Sequence, residues 1–196
     1  MNKIEVLDKG YIELVSSMGN DQTIVDIAGI SFGNDTTNIK VLKHLWDKKH
    51  TSPFEMVEFL FKVKAPLFVM RQWQRHRTWS YNELSRRYTD KDIEFYTPAT
   101  DSTGYIRVFN DQSLRNYKAL RAEGLSKENA RLILPKTVYS TMYAKVDLRN
   151  LIHFLQLRNH PDAQWEIQEY ARAIEQLIEP IVPETMKLYR EEKDEG

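Results

Sequence analysis

Along residues 57–64 the chain alternates, with Val57, Phe59, Phe61 and Val63 on one side of a pleat and Glu58, Lys62 and Lys64 on the other. A two-residue period of this kind predicts a strand with one face buried and one wet. Two shorter segments, residues 4–7 and 11–15, are rich in β-formers and are separated by Asp8-Lys9-Gly10, which predicts a hairpin. Residues 93–97 predict a further strand stopped by Pro98, and residues 138–146 are β-rich without a clear period. Elsewhere the period lengthens to that of a helix. Residues 21–30 have helical spacing and end near Gly33; Ile39, Leu42, Leu45 and Trp46 then form one stripe behind a cap at Thr36 or Thr37. Pro66 stops the strand and fits the first turn of a helix through Trp73, on which Arg71 and Arg75 lie one turn apart. Helices are also predicted over residues 113–123, closed by Gly124, and from a Ser126 cap through Leu134. Asp147 caps another, whose core stripe is Leu148, Leu151, Ile152 and Leu155. The last long helix carries Ile167, Tyr170, Ala171, Ile174, Leu177 and Ile178, and a shorter acidic helix follows it. Ser52-Pro53-Phe54-Glu55 has the spacing of a capping box, and residues 99–112 predict a loop.

These elements predict an α/β fold of the α+β kind: a small, mainly antiparallel sheet flanked by helices, with a helical C-terminal half. At 196 residues the chain is long enough for one well-filled core, so residues 1–196 are expected to form a single domain.

Charge changes the picture in one place. Lys plus Arg equals Asp plus Glu at 28 each, yet Arg71, Arg75, Arg77, Arg86, Arg87 and His76 crowd one stretch whose only acid is Glu83. A local positive field in a neutral protein suits a small polyanion in a cleft, because each guanidinium offers a planar fork of donors that matches phosphate oxygens. Trp73, Trp79, Tyr81 and Tyr88 interleave with the arginines and supply flat faces for a base or a fused ring. Phosphate plus ring reads as nucleotide. Two other readings use the same residues: a solvated charged face, and a single-stranded nucleic-acid groove.

Several classes are disfavoured. Zero net charge speaks against a dedicated duplex-DNA binder. The longest fully apolar run, residues 65–70, is too short to cross a bilayer, and no apolar leader follows Met1-Asn2-Lys3, so a soluble cytoplasmic protein with no membrane partner is expected. With no cysteine there is no thiol nucleophile, disulfide or thiolate metal site; the five histidines lack metal-ligand spacing, so no metal is expected. None of the seven glycines forms Gly-x-Gly-x-x-Gly or a phosphate loop, which excludes a Rossmann site. Any dinucleotide is then held by side chains, with Arg75-His76-Arg77 the natural place for a pyrophosphate. On the helix after Asp147, Arg149, His153 and Gln156 share a polar face, either a wet surface or a cofactor-facing wall, while Arg158 lies toward the apolar side. Arg131, beside Leu132 and Ile133, reads by itself as a core-edge arginine, and Ser85 among arginines reads as a phosphate donor rather than a nucleophile.

The stretch Arg75-His76-Arg77, seven residues, then Ser85, continuing through Tyr81-Asn82-Glu83-Leu84-Ser85 to Arg87-Tyr88, resembles the signature of the flavin-dependent thymidylate synthases. Pieces in matching order extend the likeness over nearly the whole chain: residues 50–55, 130–135, 148–149, 154–158 and 163–167. The resemblance implies reductive methylation of dUMP to dTMP, with methylenetetrahydrofolate as carbon donor and NADPH reducing FAD. It implies dUMP contacts at Gln72, Trp73, Gln74, Arg75, Glu83, Leu84, Ser85, Arg86, Arg87, Arg131 and Arg158. FAD contacts carried over are Ser52, Arg75, His76, Arg77, Glu83, Asp147, Leu148, Arg149 and His153. Arg158 matches the arginine that the family places beside the pyrimidine as the catalytic group, where a nearby positive charge favours the deprotonated, electron-rich ring. The family forms homotetramers with active sites built from several subunits, and its chemistry proceeds without the cysteine that other thymidylate synthases use. Ser52 stands where the family often has threonine, Asp147 where it often has asparagine, and Asp162 where histidine is frequent.

Overall fold

The computed structural model describes residues 2–33 and 38–195. In chain order they form β1 (Lys3–Val6), β2 (Gly10–Met18), α1 (Asp21–Phe32), α2 (Lys40–Asp47), a 3-10 turn (Ser52–Met56) and β3 (Glu58–Pro66). Then come α3 (Leu67–Trp73), β4 (Ser80–Glu83), α4 (Tyr105–Ala122), α5 (Lys127–Ala130) and a 3-10 turn (Arg131–Ile133). The chain continues with β5 (Tyr139–Asp147), α6 (Leu148–Arg158), α7 (Trp165–Ile178) and α8 (Pro183–Glu195).

The five strands make one sheet in the order β1-β2-β3-β5-β4, antiparallel throughout. Its centre is the alternating segment. Phe59, Phe61 and Val63 of β3 stand opposite Val146, Ala144 and Met142 of β5, and all six side chains are buried on the same face. Burying each large apolar side chain contributes about 1.5–3 kcal/mol, so this face is what fixes the register. Helix α7 covers β1 and β2, α3 lies on β3, and α6 lies on β5. Gly10 sits where α7 meets the hairpin: a Cβ there would run into the Tyr170 hydroxyl and stand 2.7 Å from the carbonyl oxygens of Lys64 and Val6. The opposite face carries Glu58, Lys62, Lys64, Tyr143 and Lys145, half-buried to exposed.

The hairpin, α1, α6, α7 and the acidic α8 lie where the patterning put them. Asn20 caps α1 in a reciprocal box with Thr23, and Asp147 caps α6 by accepting from the Asn150 N–H at 2.9 Å. The expected caps Thr36 and Thr37 lie outside the described residues. Four expectations need correction. Residues 99–112 are not all loop, because α4 begins at Tyr105, directly after Gly104 in the left-handed conformation. Its first turns carry Tyr105, Val108 and Phe109 outward, so no core stripe announces them. Residues 93–97 make only a lone bridge, Phe95 to Val138. The Ser52 capping box does not form: Thr51 precedes the 3-10 turn without a side-chain cap, and the Glu55 carboxylate turns instead to Arg149. Helix α3 ends at Trp73, so Arg75 falls in the following turn rather than on the helix beside Arg71.

Candidate active site

The basic stretch is not one continuous loop. Residues 74–79 turn out of α3, and Ser80–Glu83 then pairs as edge strand β4 along β5, with Tyr81 opposite Ala144 and Glu83 opposite Met142. The Tyr81 hydroxyl donates toward the carbonyl oxygens of Trp73 at 3.0 Å and His76 at 2.9 Å, pinning the turn to the strand. The Leu84 N–H extends the ladder to the Thr141 carbonyl, 2.8 Å, and residues 85–88 close as a tight turn in which the Ser85 hydroxyl accepts from the Arg87 N–H.

Under this turn lies a cleft of about 390 Å³ between α3, the end of β4, β5 and the 3-10 turn at Arg131. Arg71, Gln74, Glu83, Leu84, Ser85, Arg86, Arg131 and Ser140 line it. Residues as far apart in the chain as Arg71 and Ser140 therefore meet around one space lined by three guanidinium-bearing residues and a single carboxylate. Gln74 donates to Glu83 at 3.2 Å, so amide and acid are already oriented as a pair. Of the residues expected at the nucleotide, Gln74, Glu83, Leu84, Ser85, Arg86 and Arg131 are in this cleft. Arg71 and Ser140 were not foreseen as contacts. Arg71 was legible, since it shares the stripe of α3 with Leu67, Met70 and Gln74 at helical spacing. Ser140 lay in a segment with no readable period.

The others go elsewhere. The rings of Trp73 and Trp79 are buried in the core, edge-to-face at 5.7 Å and packed on Phe154, so neither can stack on a ligand. Tyr88 stays exposed. The terminal nitrogens of the Arg86 guanidinium are directed at the carbonyl oxygens of Lys91, Asp92 and Tyr139, bracketing the loop that follows, while its Nε is buried with no hydrogen-bond partner among the described residues. Arg87 pairs with Glu128 at 2.8 Å on the surface. The Leu84 N–H belongs to the sheet; those of Ser85 and Arg86 have no partner among the described residues.

Gln72, Arg75 and Arg158 do not line that cleft. The Gln72 amide donates instead to Gln164 at 2.6 Å, and Arg158 meets His76, the residue after Arg75. Arg158, in the last turn of α6, donates from Nε to His76 Nε2 at 3.0 Å and from its terminal nitrogen to the Gln72 carbonyl at 3.2 Å. His76 thus accepts through Nε2 and is neutral. Burial, with the Arg158 charge and then His153 adding to it, brings its pKa down to about 4. Burial, and secondarily Arg75, lowers that of Arg158.

His76 faces His153 with ring centroids 6.0 Å apart, and His153 opens on a second cleft of about 380 Å³. Arg149, His153 and Gln156 line it together, as their shared helix face requires, with Trp46, Lys49, Thr51 and Phe54 opposite. Of the expected flavin contacts, Arg149 and His153 are here. Ser52 is not among the lining residues; its neighbour Thr51 is. Asp147 has both carboxylate oxygens on Asn150, and the Leu148 side chain is fully buried with its N–H on the Val57 carbonyl, 2.8 Å. These two residues hold α6 to the sheet and offer no side chain to a ligand in this chain.

Residues 13–184 match the family model described as thymidylate synthase complementing protein. A protein of Thermus thermophilus named flavin-dependent thymidylate synthase is 41% identical, the match covering 98% of this chain and 80% of the relative. A protein of the same name from Thermotoga neapolitana is also 41% identical, over 95% of this chain and 94% of its own. Among solved structures, the UMP/dUMP methylase PolB from Streptomyces cacaoi, bound with 5-Br dUMP, superposes with a TM-score of 0.87 at 32% identity, covering 95% of this chain and 97% of that one.

Proposed function

The chain belongs to the family of flavin-dependent thymidylate synthases, and from that premise we propose that it methylates dUMP to dTMP, with methylenetetrahydrofolate giving the carbon and NADPH the electrons through FAD. One observation carries the reading: six expected nucleotide contacts, scattered from Gln74 to Arg131, converge on a single cleft. There Arg131, the Arg86 charge and the Ser85 hydroxyl meet the phosphate, and the Gln74–Glu83 pair orients the sugar and base.

The second cleft fits a flavin dinucleotide by its donor set. Arg149 and Lys49, paired in the unliganded cleft with Glu55 and with the lining Glu192, would turn their charge to a pyrophosphate, Gln156 supplies an amide, and Trp46 and His153 supply flat faces. FAD, when bound, supplies the reducing equivalents. No cysteine exists to attack the pyrimidine, so the ring must be activated by charge alone. Arg158 does this: its guanidinium, held by His76 and the Gln72 carbonyl, stabilises a deprotonated ring nitrogen and makes the reacting carbon electron-rich. Because Arg158 does not line the cleft that collects Gln74, Glu83 and Arg131, the nucleotide is completed by a second copy of the chain in a homotetramer.

The test is direct. Purified protein should be yellow and release FAD on denaturation, and with dUMP it should release the pyrimidine C5 hydrogen only when NADPH and methylenetetrahydrofolate are both present. A colourless protein, or hydrogen loss that ignores the folate, sinks the reading.

A further inference from the structure

The floor of the first cleft holds a group that the proposed reaction has not used. On β5 the pleat puts Ser140, Met142, Ala144 and Val146 on the helix-covered face, and all four are buried. Three of them present carbon or sulfur to the core. Ser140 presents a hydroxyl, and that Oγ is buried with no hydrogen-bond partner among the described residues. Its neighbour across β3 is Ala65, which offers no side-chain acceptor. On the other side β4 ends at Glu83, opposite Met142, so no paired strand residue stands beside Ser140, which is one of the residues lining the cleft. A buried polar group is normally hydrogen-bonded, and one left without a partner in a ligand cleft points to a partner that arrives with the ligand.

We propose that the Ser140 hydroxyl is a binding residue for the uncharged part of a pyrimidine nucleotide, hydrogen-bonding its base or sugar at the floor of the cleft. The inference rests on the nucleotide reading above and deepens it. The polar surroundings divide the work. Arg71 and Arg131 reach the cleft from α3 and from the 3-10 turn and suit the phosphate. Glu83, diagonal to Ser140 across the β4–β5 pair, is acceptor-only, so it takes donor groups of the ligand. Ser140 carries one donor and two acceptor sites on a rotor, so it can meet a ring carbonyl that Glu83 cannot.

Titration calorimetry of the flavin-loaded enzyme with dUMP, and separately with deoxyribose 5-phosphate, tests this. Ser140→Ala should weaken dUMP about five- to tenfold, the worth of one hydrogen bond, with FAD content and the unfolding midpoint unchanged. Ser140→Thr, which keeps the hydroxyl, should restore most of that affinity. A loss seen with dUMP and not with deoxyribose 5-phosphate assigns the bond to the base; a loss with both assigns it to the sugar. Equal dUMP affinity in wild type and Ser140→Ala overturns the Ser140 assignment alone, as does a lowered unfolding midpoint with unchanged affinity. A wild type that binds no dUMP overturns the functional reading and this assignment with it.

Discussion

At the scale of single residues, the centre of interest is the Arg158–His76 contact. An uncharged histidine is a sound acceptor for a guanidinium N–H and a poor neighbour for it once protonated. His76 therefore carries a pH signature. Its folded pKa, near 4, lies below the ordinary 6.5, so the unfolded chain binds more protons between those values. By linkage the stabilisation is complete above about pH 6.5, declines as pH falls toward 4, and is gone below it. Chemical denaturation between pH 7 and 4 should show the decline, and His76→Gln should flatten it. Replacing Arg158 by Ala should cut dTMP formation by about 10- to 1000-fold, since a close charge is worth roughly 1–3 pKa units at the ring, while FAD content and folding are retained. Full turnover in a folded Arg158→Ala enzyme would remove the ionising role. The sequence named Arg158 through its family match and its position off the wet face of its helix. It could not name the His76 bond, because that contact joins residues 82 positions apart.

Among the elements, legibility followed the cause of order. The alternation of β3 and the stripe of α6 were readable because burial wrote them, with Phe59, Phe61, Leu151 and Leu155 all inside. Helix α4 was half missed, since its first turns face outward and their Tyr, Ile, Val and Phe side chains mimic β-formers. The strand β4 was missed because it is an edge, held by backbone pairing to β5 rather than by a period of its own. The Ser52-Pro53-Phe54-Glu55 pattern misled because Arg149 competes for Glu55, and an ion pair there leaves the backbone cap unmade. The cap of α6 was both legible and real. Asp147→Ala should therefore cost about 1 kcal/mol, read as a fall of about 2–4 °C in the thermal midpoint. No change on that substitution would mean that the Asn150 contacts add nothing to stability.

Across the whole molecule, the expected contacts fall into separate neighbourhoods. Gln74, Glu83, Ser85 and Arg131 share one cleft, Arg149 and His153 another, and Arg158 stands with His76 outside the first. No sequence pattern could have reported this division, because it depends on which side of α3 each residue meets. It also gives the assembly a test. Mixing Arg131→Ala and Arg158→Ala chains, each impaired alone, should recover part of the wild-type rate if each nucleotide is held by two chains, and light scattering should give four times the chain mass. Hybrids with no recovered activity would count against shared sites. The exposed Tyr105, Val108 and Phe109 of α4 form a surface such an assembly would hide.

Gly10 has a consequence for the order of events during synthesis. The hairpin it belongs to is synthesised well before the hydroxyl that fills the space beside it, which belongs to Tyr170 of α7. A nascent chain stalled before residue 165 therefore lacks the helix that covers β1 and β2, and that margin of the sheet stays open until α7 is made.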